Sequence, residues 1–185
     1  MRVLVIGASS CIGRALVGKL QSSMAIGRRS ISQLLLLDRD LSHFSGHTAL
    51  RCYTGSLTDK ALLRRILADG LDVVFHLASI PGGLAEQQYA LGHEVNLMAT
   101  LELLNQLRSQ PQVPVLVYAS SAAVYGGNLP PAMNEHHPPR PELSYGAHKR
   151  QSMTWPGVAR SKGAPCACRV SSPVRSCQPV CKRHL

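Results

Sequence analysis

The chain has 185 residues, enough for one domain with a sizeable core, and 45% of them are hydrophobic, an ordinary share for a globular protein. No apolar run approaches the ~20 residues that cross a bilayer as a helix, and the opening MRVLVIGASS is too short in its apolar part for a secretory signal, so a cytoplasmic protein without membrane attachment is expected. The net charge of +10 suits a nucleic-acid binder, but residues 1–139 hold 11 Lys/Arg and 9 Asp/Glu (net +2), while residues 140–185 hold 9 Lys/Arg and one acid (net +8), so the basicity belongs to the tail and no nucleic-acid partner is expected.

In chain order, the apolar runs VLVI (3–6), QLLLLD (33–38), LRCYTG (50–55), DVVFHLAS (72–79) and VPVLVYASS (113–121) read as strands buried on both faces, the pattern of a parallel sheet. Helices are expected between them. Segment 11–21 places Ile12, Leu16 and Leu20 on one stripe, 59–70 starts with an acid and ends at Gly70, and 93–110 is one long amphipathic helix stopping before Pro111. Strands alternating with helices give a doubly wound α/β fold of three layers, its first three strands ordered 3-2-1 and the later ones on the other side. Segment 126–143 is a Pro-rich loop.

The first strand leads through GASSCIGRAL into a helix, a place where backbone N–H groups attract a pyrophosphate. Gly7 makes the tight turn and Gly13 lets helix and strand pack closely, but Ser10 stands where a middle glycine would let the backbone touch the ligand. Its side chain either turns aside or weakens binding. Asp38 ends the second strand 25 residues past Gly13, where an acid accepts ribose hydroxyls and repels a 2′-phosphate, favouring NAD over NADP. Arg39 beside it weakens that preference slightly.

In SYGAHK, Tyr145 and Lys149 are four residues apart and share one helix face. An ammonium beside a phenol stabilises the phenolate and so makes a proton acceptor near neutral pH. Ser120 and Ser121 lie at the end of the fifth strand, the edge where open α/β sheets bind ligands. These groups suit proton exchange with a substrate hydroxyl or carbonyl while a nicotinamide exchanges hydride.

Gly7 to Gly13, Asp38, VVFHLAS, Asn96, SSAAVYGG and YGAHK occur in the order of one family. The chain resembles the extended short-chain dehydrogenases/reductases of the NAD-dependent epimerase/dehydratase group over residues 1–149, most of all their D-erythronate dehydrogenase-like branch. The resemblance implies a Rossmann-type NAD-binding domain over 1–150, with catalytic Ser121, Tyr145 and Lys149. It also implies cofactor contacts from Gly7, Ser10, Cys11, Ile12, Gly13, Asp38, Ser56, Leu57, Leu77, Ala78, Ser79, Asn96, Tyr145 and Lys149, with Ser56 standing where the family often has an aspartate. His76 is expected to be a packed strand residue. The implied activity is NAD-dependent oxidation or reduction at a CH–OH carbon of a sugar acid. A nucleotide-sugar 4-epimerase or dehydratase and a non-catalytic nucleotide-binding fragment are the alternatives. The implied partner is a small sugar-type substrate, and such families are often homodimeric.

Residues 151–185 contain no Asp or Glu and break the family pattern. Cys166, Cys168, Cys177 and Cys181 with His184 lack paired C-x-x-C spacing, so no metal is expected. The expectation is an irregular, basic Cys/Pro-rich tail arising from a frameshift after Lys149, since codons for GAPCACRVSSPV, read two bases on, can spell a family-like strand RALRLPGIVARP. On this reading the substrate-binding region is missing and the chain has little or no activity.

Overall fold

A computed structural model of the chain describes residues 1–44, 50–127, 129 and 136–154. Five parallel strands form one sheet: β1 (Arg2–Ile6), β2 (Gln33–Asp38), β3 (Leu50–Thr54), β4 (Val73–His76) and β5 (Val115–Tyr118). Their order is 3-2-1-4-5, with the topological switch between β1 and β4. The expected three-layer parallel architecture and strand order are therefore present.

Alternation along the strands builds the layers. Val3, Val5, Leu34 and Leu36 pack on one face against Val17 and Leu20 of α1 (Cys11–Ser23). Leu4, Ile6, Leu35 and Leu37 point the other way, onto Leu63 and Ile66 of α2 (Lys60–Leu67) and Leu103 and Leu107 of α5 (Ala99–Arg108). Each fully buried Leu or Ile stabilises the fold by about 1.5–3 kcal/mol. Only the inner strands are apolar on both faces: on β3, Arg51 and Cys52 are exposed, and Val115 on β5 is 36% exposed, as suits strands at the sheet margin.

The helices differ from expectation in three respects. On α1 the inward stripe is Gly13, Val17 and Leu20, while Ile12 is 66% exposed, because the helix axis is set by the close approach at Gly13. The single helix expected over 93–110 is α4 (Tyr89–His93), a π-helical turn (Glu94–Met98) and then α5. The added α3 (Gly82–Gln87) follows β4, and Pro81 and two glycines at its start hid it from propensity reading. Segment 59–70 behaves as expected, with Asp59 capping Ala61 N and Leu62 N at 2.9 and 3.0 Å and Gly70 at φ +71° after the helix. A short antiparallel pair, Ala25–Ile26 with Arg29–Ser30, links α1 to β2. The last described helix is α6 (Ser144–Thr154). The tail cysteines, and all expectations for the tail past Thr154, lie outside the described residues.

Two glycines fix the first turn. Gly7 has φ +85°, and a Cβ there would lie 2.5 Å from Ala78 N; one on Gly13 would lie 2.1 Å from Gly7 O. Gly18, on the same helix, faces open space. Gly13→Ala is expected to destabilise by about 3 kcal/mol through main-chain displacement, whereas Gly18→Ala should stabilise by roughly 0.5–1 kcal/mol. Urea unfolding of both variants checks the contrast, and equal effects would contradict the packing described.

Candidate functional site

The register brings Tyr53, Leu37, Ile6, His76 and Tyr118 into one row at the C-terminal edge of the sheet. The residues just beyond that row form the floor of a cleft of about 580 Å³. Gly7, Ser9, Ser10, Cys11 and Ile12 make one wall, with Asp38, Arg39, Ser56, Leu57 and Thr58 at one end. Leu77, Ala78, Ser79, Ile80 and Pro81 make the opposite wall, and Ala119, Leu91, Glu94 and Val95 close the other end. Ten of the residues expected from sequence thus share one surface: Gly7, Ser10, Cys11, Ile12, Asp38, Ser56, Leu57, Leu77, Ala78 and Ser79. Ile12 is exposed because it stands at this cleft rather than in the core.

Ser10 turns aside. Its Oγ donates to Gly7 O at 2.8 Å and accepts from Gly13 N at 3.0 Å, so it caps α1 from its own backbone turn. Asp38 accepts from Ser9 N at 2.8 Å through Oδ2 and from Arg39 N at 2.7 Å through Oδ1, tying the first turn to the end of β2. Ser56 Oγ accepts from Thr58 N at 3.2 Å and pairs with Thr58 Oγ1 at 2.9 Å, holding the turn before α2.

Five expected site residues do not line the cleft. Gly13 lies beneath it. Asn96, expected among the cofactor contacts, is 1% exposed; its Oδ1 accepts from Ile80 N at 2.7 Å and its Nδ2 donates to Ile80 O at 3.0 Å. It therefore pins the wall from behind, turned inward by the π-helical turn that carries it. Ser121 caps the short 3-10 turn Ala122–Tyr125, accepting from Ala123 N at 3.2 Å, which leaves its O–H as a donor. Ser120 instead donates to Met153 Sδ, so Ser121 is the better placed of the two serines. Tyr145 and Lys149 share α6, with the Lys149 ammonium 5.8 Å from the centre of the Tyr145 ring.

Lys149 is 2% exposed, donates to Ala119 O at 2.9 Å and lies 4.6 Å over the Tyr118 ring. Ala119 lines the cleft, so the ammonium reaches the back of its floor. Burial pushes its pKa from 10.5 down to about 8. His76 is fully buried, with Nε2 3.0 Å from Thr100 Oγ1 and its ring edge-on to Tyr118 at 5.3 Å. Burial first, and the Lys149 charge second, push its pKa from 6.5 down to about 3. It is a neutral, packed strand residue.

Among the described residues no group of three or more His, Cys, Asp or Glu is arranged to hold a metal, and no helix is long and apolar enough to cross a membrane.

A parallel sheet in the order 3-2-1-4-5, with a glycine turn and a cleft at its switch point, defines a Rossmann-type α/β domain. A family profile, "NAD dependent epimerase/dehydratase family", matches residues 3–168, and the chain belongs to that family. A D-erythronate dehydrogenase of Cupriavidus necator is 35% identical over 153 residues, covering 80% of this chain and 47% of that protein. A second, from Haemophilus influenzae, is 29% identical over 151 residues, again 80% of this chain and 47% of the relative. Among solved structures, the nucleoside-diphosphate-sugar epimerase from Agrobacterium tumefaciens aligns with TM-score 0.73 at 29% identity, covering 82% of this chain and 46% of its own. MoeE5 in complex with UDP-glucose and NAD aligns with TM-score 0.69 at 32% identity, covering 82% and 46% respectively. The chain spans about half the length of the curated relatives it matches.

Both buried bases make stability rise with pH. Their folded pKa values are depressed, so the unfolded chain binds the extra proton between about 3 and 6.5 for His76 and between about 8 and 10.5 for Lys149. Stability is expected to fall as pH drops from 6.5 towards 4, by up to ~1.4 kcal/mol per unit, and His76→Phe should flatten that fall. It is expected to climb from pH 8 to 10, and Lys149→Met should remove the climb. Chemical denaturation across pH reads both slopes.

Proposed function

We propose that this chain is the NAD-holding part of an oxidoreductase that acts at a CH–OH carbon of a sugar acid. The observation that carries the reading is the continuity of the cleft, which runs from the Asp38 carboxylate past the start of α1 to Ala119, the residue gripped from behind by Lys149. An elongated dinucleotide fits those residues: Asp38 and Ser56 would hold its adenosine end, the α1 start its phosphates, and Ser79–Pro81 with Ala119 its nicotinamide end. Bound NAD would supply a hydride acceptor. Tyr145 takes the proton of the substrate hydroxyl, Ser121 donates to the same oxygen, and the buried Lys149 charge favours the phenolate. The identity to D-erythronate dehydrogenases supports a short sugar acid as substrate.

A second reading is favoured by the solved relatives. The fold likeness to a nucleoside-diphosphate-sugar epimerase and to MoeE5 in complex with UDP-glucose and NAD supports a nucleotide-sugar enzyme that uses the same dyad. Such an epimerase returns the hydride, so reduced cofactor does not accumulate.

Calorimetric titration of the 185-residue protein with NAD tests the cofactor. Binding is expected, and Asp38→Ala should weaken it at least tenfold, about 1.4 kcal/mol. No binding overturns the reading. With D-erythronate present, appearance of reduced nicotinamide follows turnover. Tyr145→Phe should lower it by at least ~100-fold while leaving NAD affinity within about twofold. Binding without turnover on either substrate class would instead identify a nucleotide-binding fragment.

A further inference from the structure

α6 carries both members of the dyad, yet its start has no cap of its own. The first bond into the helix is Ala147 N to Leu143 O, which puts Leu143 at the capping position. A leucine has no side-chain oxygen to offer the unpaired N–H groups of a first turn. The acceptor comes from 58 residues earlier: Glu86 Oε1 accepts from Ser144 Oγ at 2.6 Å and from Tyr145 N at 3.1 Å.

Glu86 stands on α3, the helix that begins directly after the cleft wall. Ile80 and Pro81 line the cleft. Asn96 fixes Ile80 by both its N–H and its carbonyl. α3 then starts at Gly82, which lies beside the Tyr145 ring: a Cβ there would make ordinary van der Waals contact with it, 3.4 Å from Tyr145 Cδ1. The same short helix thus meets Tyr145 at two places: Gly82 lies beside its ring with space for a methyl group between them, and Glu86 bonds its amide. α3 and α6 pack together, and α4 adds a third link through His93 Nδ1 and His148 Nε2 at 3.3 Å.

On the functional reading above, we infer that Glu86 is a positioning residue: it couples the wall of the cofactor cleft to the start of the Tyr145 helix. The carboxylate is suited to the task. It lies at a helix N-terminus, where negative charge is favoured, and the Ser144 hydroxyl, then the Tyr145 amide, hold its pKa below the ordinary carboxylate value. It lines no part of the cleft, so it acts through Tyr145 and not on the ligand. A displacement of about 1 Å at a reacting group can cost ~100-fold in rate, so the hold on the tyrosine's amide and on Ser144 beside it matters to turnover.

Amide hydrogen exchange by NMR on the 185-residue protein, with and without saturating NAD, tests the coupling. In the wild type, NAD is expected to slow exchange of the Tyr145 amide at least threefold. In Glu86→Ala that amide should exchange at least fivefold faster without NAD, and the NAD-dependent slowing should vanish while NAD affinity stays within twofold. Glu86→Gln keeps an acceptor oxygen and should restore part of both effects. Unchanged exchange in Glu86→Ala overturns the inference. Faster exchange with the NAD-dependent slowing intact reduces Glu86 to a simple cap and overturns it equally. A wild type that binds NAD without any slowing at Tyr145 also overturns it. A wild type that takes up no NAD overturns the functional reading and this inference together, and titration alone identifies that case.

Discussion

Three stretches of main chain meet at the first turn, and the meeting sets where the rest can stand. Gly7 lies against the backbone of Leu77 and Ala78, and Gly13 lies against the carbonyl of Gly7. No side chain fits in either gap. Because the strand, the helix and the segment after β4 approach to backbone contact, the start of α1 and the opposite wall face each other across one cleft. Asp38 adds the fourth segment by accepting from Ser9 N. The site is a consequence of this crowding at the sheet edge, and of the parallel strands that end there in one row.

Behind the cleft floor the molecule accepts an electrostatic cost. Lys149 and His76 are both buried against the Tyr118 ring, the ammonium 4.6 Å from its centre and the imidazole edge-on to it at 5.3 Å. Their ionised forms are disfavoured by desolvation, which outweighs the single hydrogen bonds that Ala119 O and Thr100 Oγ1 supply. A helix held only by its own apolar face would gain by replacing the lysine. The features that keep it in place are external: Glu86 at the helix start, His93 along its side and Ala119 at the ammonium itself.

The strands were readable because Val3 to Ile6 and Leu34 to Leu37 are unbroken apolar runs, and burial on both faces leaves no other use for them. The glycine turn and Asp38 were readable because backbone geometry and strand ends constrain residue type strongly. Helix faces were less so. Ile12 looked like core by spacing alone, since hydrophobicity does not distinguish a side chain at a cleft from one in the interior. Asn96 was found, but its role was not, because a buried amide that grips Ile80 and one that touches a ligand look alike in sequence. Glu86 gave no signal: its partners lie 58 and 59 residues away, and only folding brings α3 beside α6.

The π-helical turn at Glu94–Met98 has a consequence for how this stretch tolerates change in length. It holds more chain per turn than an α-helix, which lets Leu91, Glu94 and Val95 face the cleft while Asn96 turns inward and Leu103, Leu104 and Leu107 still meet the sheet. Removing one residue here would let the helix close up as a regular α-turn with its two flanks still roughly in phase, whereas removing one from the regular turns of α5 would rotate one side of the cut by about 100° relative to the other. The apolar stripe would leave the sheet in the second case, while the first would give up the wider turn that carries Asn96 to Ile80. A change of one residue in length is therefore absorbed at this turn and not within α5, and the extra residue is what lets the cleft side chains, Asn96 and the core of α5 all keep their places.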